Sequence, residues 1–465
     1  MKRRQDRIVM KTTPEQKNTG TREIINDILR DLAQTNRNIV SDEFEQGLDC
    51  LAKFVDLKVH RYPSGTDCWT WNVPKKWKIR EAYIKKGNQT VATYADHPLH
   101  VMCYSVPVSA RMLGRDLKEH MSVHAETPTA IPYEFSFYVP KWGFCLTRAQ
   151  SEKILDHEEY DVLIDSEFVD DQLSVGEYTV KGTSDEHIYF LSHLDHPSQV
   201  NDGLIGVAAN VALAKNLEQV KGHYYNYTFL FVPESIGSIA YLSHHEPLIP
   251  RIRFSVFVEM LGLQNPLVIQ RSFGDRGLIN RYAAHVLRSV QGEAKSYPFL
   301  TVAGNDEKIF DSPGVNIPSI SLTRVDQETR LKKAADTPAG LVYPYPEYHS
   351  HLDDLALANV DAVCGAVGAL RELCRVIEAD YIPKRTFKGP VFLTKYGLWK
   401  DWRKDLKASG DITELMYALE GDKTVFQIAE QIGMDFEALL GLLDKFHQNG
   451  LITQERIPVE FDRKS

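Results

Sequence analysis

Between Leu191 and Leu217 the sequence reads LSHLDHPSQVNDGLIGVAANVALAKNL, and His193, Asp195, His196 and Asp202 fall within ten positions of it. Imidazole nitrogens and carboxylate oxygens are the ligands a hydrolytic zinc ion takes. Such a site leaves one position for water and keeps a carboxylate nearby for the water's proton. Further candidates follow short apolar runs: Glu234 after YTFLFVP, Glu259 after FSVFV, and His349 in EYHSHLDD. Two histidines (His193, His349) and three carboxylates (Asp202, Glu234, Glu259) supply one or two such sites. In an extended HxD the first and third side chains point the same way, so Asp195 is placed to orient or polarise His193. Singly, each residue has an ordinary explanation, since a carboxylate at a strand end is mostly exposed. His196, His244, His245 and His351 are read as structural. The set carries the signal.

These residues need elements that bring them together. From residue 165 to 385, apolar strand candidates (HIYFLSHLD, YTFLFVPES, FSVFVEMLG, SISLTR) alternate with helical patterns at Gly206–Leu217 and Asp361–Ala379. That alternation predicts an α/β domain with helices on both faces of a central sheet. In open α/β sheets, ligands bind beyond the carboxyl ends of strands, where the candidates sit. Residues 1–58 read as helices that pack on this domain, with Ser41 as an N-cap. Residues 59–164 are rich in aromatic and β-branched types and broken by turns, which predicts an inserted, mostly β domain. Its Trp69, Trp71 and Trp77 are assigned to a small core. Residues 386–465 read as short helices, an Asn-Gly turn and an extended stretch, the pattern of a winged helix.

The 465 residues carry a formal charge of −9 with acids and bases mixed, which gives no footprint for nucleic acid or an anionic membrane. The apolar stretch Ala362–Leu370 is too short to span a bilayer. The basic N-terminus MKRRQDRIVMKTTPEQ has no apolar region after it and is not read as a secretory signal. Six scattered cysteines without a CxxC pair fit reduced thiols and a cytoplasmic location better than disulfides or a cysteine zinc site.

HLD, ND-G and YHxxxD, in this order with carboxylates at strand ends between them, resemble the co-catalytic zinc aminopeptidases related to the bacterial leucyl aminopeptidases. PSGTDCWTWNVPKKW, LSHLDHPSQVNDGLIG, PESIGS and EYHSHLDD are similar to a bacterial branch of that group. Its members carry an aminopeptidase-like domain, an inserted protease-associated-like β domain and a C-terminal winged helix. The resemblance implies one or two zinc ions. His193 and Asp202 would bind the first, with Asp202 bridging to a second if present. Glu259 stands where the group usually has Asp, and His349 matches the distant histidine of the second site, with Asp353 four residues on. The group generally shows two adjacent glutamates, one a base and one a ligand. Here Pro233 precedes Glu234, so a single carboxylate is available for both roles. Either Glu234 is the base and one zinc is held, or Glu234 is a ligand. The base is preferred, because hydrolysis requires a proton acceptor more than a second metal.

The expected activity is zinc-dependent hydrolysis of amide bonds by an aminopeptidase-like exopeptidase, on a peptide or small amide substrate. TVAGNDEKIFDSPGVNIPSISL resembles the group's pocket-forming stretch, which makes Asp306 or Glu307 a candidate to hold a free α-amino group; a plain polar loop is the competing reading. The same metal site also fits an amidase, deacylase or cyclase acting on a non-peptide substrate, as in polysaccharide or natural-product biosynthesis. A third possibility is a ligand-sensing protein whose winged helix reads DNA. From Asp411 onward, however, eleven acids face five bases, a balance that repels phosphates. No nucleic-acid or membrane partner is expected, and a homo-oligomer remains open.

Overall fold

In a computed structural model, the described residues are 14–336, 342–399, 401, 403 and 406–464. The basic N-terminal stretch lies largely outside them, in residues 1–13. The chain forms two compact units, one running to Arg371 and the other from Glu372 to Lys464.

The first unit is built on an eight-stranded mixed sheet. Its strands are β1 (Lys58–Pro63), β2 (Gln172–Val180), β3 (His187–His193), β4 (Asn226–Val232), β5 (Ile252–Val258), β6 (Val268–Gln270), β7 (Lys295–Tyr297) and β8 (Ser319–Thr323). Their spatial order is β1-β2-β4-β3-β5-β8-β6-β7. β4, β3, β5 and β8 run parallel, while β1, β2 and β6 join antiparallel. Every residue of β4, β5 and β8 is buried. This explains their unbroken apolar runs: parallel strands covered on both faces have no solvent side to alternate with.

Helix α1 (Pro14–Leu32) packs on helix α3 (Leu204–Glu218), which covers the sheet together with α2 (Asp42–Leu51) and α4 (Ile236–His244). As expected, Ser41 caps α2, accepting the Phe44 N–H. α3 is buried almost all round, as a helix between a sheet and a second helical layer must be. It approaches β5 so closely that a Cβ at Gly206 would lie 2.0 Å from the Val258 carbonyl oxygen.

A separate four-stranded antiparallel sheet, ordered 89–93, 76–86, 159–169, 108–113, forms the body of the inserted β region. Its limits differ from those expected. Lys58–Pro63 belongs to the large sheet, and the small sheet continues through Val169. The period-two pattern is the same in either sheet, so the sequence does not show where the chain changes sheets. Trp77 is in its core, whereas Trp69 and Trp71 are exposed.

In the second unit the helices Val425–Ile432 and Phe436–Gln448 follow the helix Leu406–Ala418, and Ile452–Glu455 pairs antiparallel with Ile382–Arg385. Thr424 and Gln427 form a reciprocal cap at the start of one helix, and Asp435 caps the next. All six cysteines are buried and none is in a disulfide. Among the described residues, no helix is long and apolar enough to cross a membrane.

Candidate metal centre

Three neighbouring parallel strands deliver the site. His193 is the last residue of β3, Glu234 lies just beyond β4, and Glu259 follows directly on β5. Asp202 lies in the turn before α3, where Gly203 at φ +104° begins the helix. A Cβ there would lie 2.8 Å from the His193 ring, so only glycine allows the turn to pass this close. His349 arrives from a distant loop in a left-handed backbone conformation, its ring stacked on Tyr348.

The set gathers around Asp202. Its Oδ1 is 3.4 Å from His193 Nε2, and its Oδ2 is 3.2 Å from His349 Nε2 and 3.7 Å from His196 Nε2. Glu259 Oε2 is 4.0 Å from His193 Nε2. Glu234 Oε2 lies 3.6 Å from His196 Nε2 and 3.9 Å from His193 Nδ1. The ligand atoms of His193/Asp202/Glu259, of His196/Asp202/His349 and of His193/His196/Glu234 each fall within 4.8 Å of one another. The five residues expected to form the site therefore converge. His196, read from sequence as structural, converges with them. The chain leaves β3 at His193, and Pro197 with Ser198 at φ +54° turns it back, which strand periodicity does not anticipate.

Asp195 stands elsewhere. Its Oδ1 accepts the Glu234 backbone N–H at 2.8 Å, so it fixes the loop that carries Glu234. Asp353 does the same for Asp202: its oxygens accept the N–H groups of Asn201 (2.7 Å) and Asp202 (2.9 Å) and the Tyr345 hydroxyl. Asn305 donates to Glu259 Oε2 at 2.7 Å. The three other histidines hold structural bonds: His351 accepts the Ile131 N–H, and His244 and His245 bond carbonyls one helical turn back. Asp306 Oδ1 accepts the Ser235 N–H and the Ser238 hydroxyl, while its Oδ2 is buried without a hydrogen-bond partner among the described residues; Glu307 is engaged by the Asn305 N–H and Gln270.

A metal ion suits this donor set. Both ring nitrogens of His193, both oxygens of Asp202 and Glu259 Oε1 are buried with no hydrogen-bond partner among the described residues. Buried polar atoms are almost always satisfied, and unsatisfied ones cost roughly 1–3 kcal/mol each, so a cluster of them that shares ligand chemistry points to a cation. Neutral imidazoles and carboxylates are also the donors zinc takes.

The electrostatics of the donor set agree. Burial opposes a charged His193, yet the carboxylates of Asp202, Glu234 and Asp195 hold its pKa well above the usual value. Burial drives His196 well below its usual value despite Asp202. Glu259 is pushed well above the carboxylate range by burial and by the like charges of Asp202 and Glu307, against the pull of His193. Glu234, a quarter exposed and so the most open carboxylate, is raised to about 7 by burial, with His193 opposing and Asp195 adding to the rise.

The inserted β region reaches this centre. Tyr133 donates its N–H to the His349 carbonyl at 2.7 Å, and its ring lies 5.3 Å from those of His196 and His349.

A family model described as a domain of unknown function (DUF4910) matches residues 26–380. The chain belongs to this family. A Clostridium acetobutylicum protein, provisionally named as a polysaccharide biosynthesis protein with aminopeptidase-like domain, is 30% identical over 441 residues. The alignment covers 92% of this DUF4910 chain and 95% of that protein. A crystal structure of a provisionally assigned peptidase from the same organism is 28% identical with a TM-score of 0.78, covering 95% of this chain and 98% of that one. A zinc aminopeptidase from Bacillus subtilis has a TM-score of 0.57 at 12% identity, over 77% of this chain and 93% of that one. At that identity the likeness is one of fold. The DUF4910 chain has the aminopeptidase-like α/β fold that its motifs resemble.

Proposed function

We propose that this chain is a zinc-dependent hydrolase of amide bonds in which His193, Asp202 and Glu259 hold the metal and Glu234 is the general base. The observation that carries the reading is the buried set of unsatisfied ligand atoms beside one partly exposed carboxylate. A zinc ion held by these residues would polarise a scissile carbonyl and lower the pKa of a water toward neutrality. Glu234 takes the proton of that water and returns it to the leaving amine. Glu234 is the most open carboxylate of the set, which leaves it placed to accept a proton from a water. Asp195, through the Glu234 N–H, holds the base's loop in place, and Asp353 does so for Asp202. Tyr133 narrows the approach beside His349, so the inserted domain shapes substrate access.

Within that chemistry the peptide exopeptidase is one reading. A non-peptide amide, such as an N-acylated amino sugar, is the second. Glu307, with both oxygens engaged by Asn305 and Gln270, does not present a carboxylate to a free α-amino group, which leaves Asp306 Oδ2 as the candidate oxygen for the exopeptidase reading. The name of the Clostridium acetobutylicum relative supports the non-peptide reading. The acidic balance of residues 386–465 supports reading them as a winged-helix-like module for protein contact rather than for DNA.

Amine release from aminoacyl 4-nitroanilides and from N-acyl amino sugars separates the two readings. One panel should turn over, stop after chelation and resume with zinc. Glu234→Gln should lower kcat by about 100- to 10,000-fold, the usual worth of a general base. Turnover that survives complete metal removal would contradict the reading.

A further inference from the structure

Asp202 offers its two oxygens to different partners, Oδ1 to His193 and Oδ2 to His196 and His349. Two separate ligand triads therefore meet on one carboxylate. The first is His193/Asp202/Glu259 and the second is His196/Asp202/His349. His196 is 2% exposed, and the only sequence cue against it is that it follows the strand end by three residues.

The loop that carries His196 is built to hold it. Arg37, fully buried, donates from its guanidinium to the carbonyls of Leu194 (2.7 Å), His196 (3.0 Å) and Gln199 (3.1 Å). The Ser198 N–H donates to the Thr35 carbonyl at 3.0 Å, and Ser198 itself has a positive φ. A planar fork with five donors is suited to gripping several carbonyls at once. A buried guanidinium and a left-handed serine are both unfavourable unless the loop's shape is required. What the shape delivers is His196 Nε2 beside Asp202 Oδ2 and Glu234 Oε2.

We propose that His196 joins Asp202 and His349 as a ligand of the second metal site that the aminopeptidase resemblance implies, and that Arg37 positions His196 for it. His196 then supplies the ligand that a second glutamate next to Glu234 would have supplied, where Pro233 stands. Glu234 is left free to accept a proton. This rests on the metal-hydrolase reading above and specifies how one glutamate suffices for it.

Zinc content after chelator stripping, reloading and desalting tests it. Wild type and Glu234→Gln should each carry two zinc ions per chain. His196→Ala and His196→Gln should carry one while keeping the wild-type circular dichroism. Loss of an ion in Glu234→Gln would overturn the proposal, as would two ions retained in both His196 variants. One ion in wild type, with hydrolysis still zinc-dependent, would overturn this proposal but not the hydrolase reading. No ion in any protein would overturn both.

If neither His196 variant folds, a zinc titration of stripped wild type labelled with 15N-histidine decides. Three imidazoles should reach metal-bound shifts by two equivalents of zinc. Only two in total would overturn the proposal.

Discussion

Asp202 is the residue on which the centre depends, and Asp353 is what fixes it. A carboxylate that accepts two backbone N–H groups and a tyrosine hydroxyl locks the Asn201–Asp202 turn, which sets the direction of both Asp202 oxygens. An asparagine there keeps one acceptor and turns a donor toward an N–H. Asp353→Asn should therefore weaken zinc affinity by about 10- to 100-fold, as loss of an outer support typically does, measured by competition with a chromogenic chelator. Unchanged affinity would show that the turn holds without it. At this scale the sequence was informative about His193, Asp202, Glu234, Glu259 and His349, because each follows a recognisable strand or motif. It pointed to a structural role for His196 and did not single out Arg37. Their roles depend on a loop turned by Pro197 and Ser198 and clasped from a segment more than 150 positions away in the chain, and no local pattern encodes that contact.

The elements that aim these residues are the parallel strands β3, β4 and β5 and helix α3. Their apolar runs and the small residues of α3 were readable from sequence. The passage of the chain between the two sheets was not, since Lys58–Pro63 and Glu159–Val169 have the same alternating character as any half-buried strand. Gly206 is where α3 meets β5, and the obstruction to a side chain there is backbone. No rotamer change relieves it. Gly206→Ala should force the helix away from the sheet and lower stability by about 1–3 kcal/mol, the usual penalty of overpacking, read from urea unfolding. A smaller penalty, below about 0.5 kcal/mol, would mean that the helix shifts freely. In the second unit, Thr424→Ala should remove a capping box and destabilise its helix by about 0.5–2 kcal/mol.

Across the whole first unit, three regions of sequence converge on one centre. The N-terminal segment supplies Arg37, the inserted region supplies Tyr133, and the α/β core supplies the donors. Without metal, this arrangement makes the folded chain take up protons. Burial lifts Asp353 to about 7, with Asp202 adding to it, and lifts Asp195 to about 6 against the pull of His193. His193 is held well above its usual value by the carboxylates that outweigh its burial. A group with a raised folded pKa contributes most at low pH and loses its contribution as pH rises through that value. Asp202, held low by its histidines against burial, gives the opposite slope only below its usual value of 3.8. His196, kept neutral by burial, gives the opposite slope below its usual value, so the carboxyl and histidine contributions oppose one another in the metal-free protein. Zinc displaces the protons that Asp353, Asp195 and His193 hold, so the rise in Tm on adding zinc should grow from about pH 4 to about pH 7. A zinc effect independent of pH would contradict this.

The most direct test of the metal centre is anomalous diffraction from zinc-soaked crystals, recorded on both sides of the zinc absorption edge. The account predicts an edge-dependent peak within coordination distance of His193 Nε2, Asp202 and Glu259. No peak there at saturating zinc, with those side chains ordered, would contradict it.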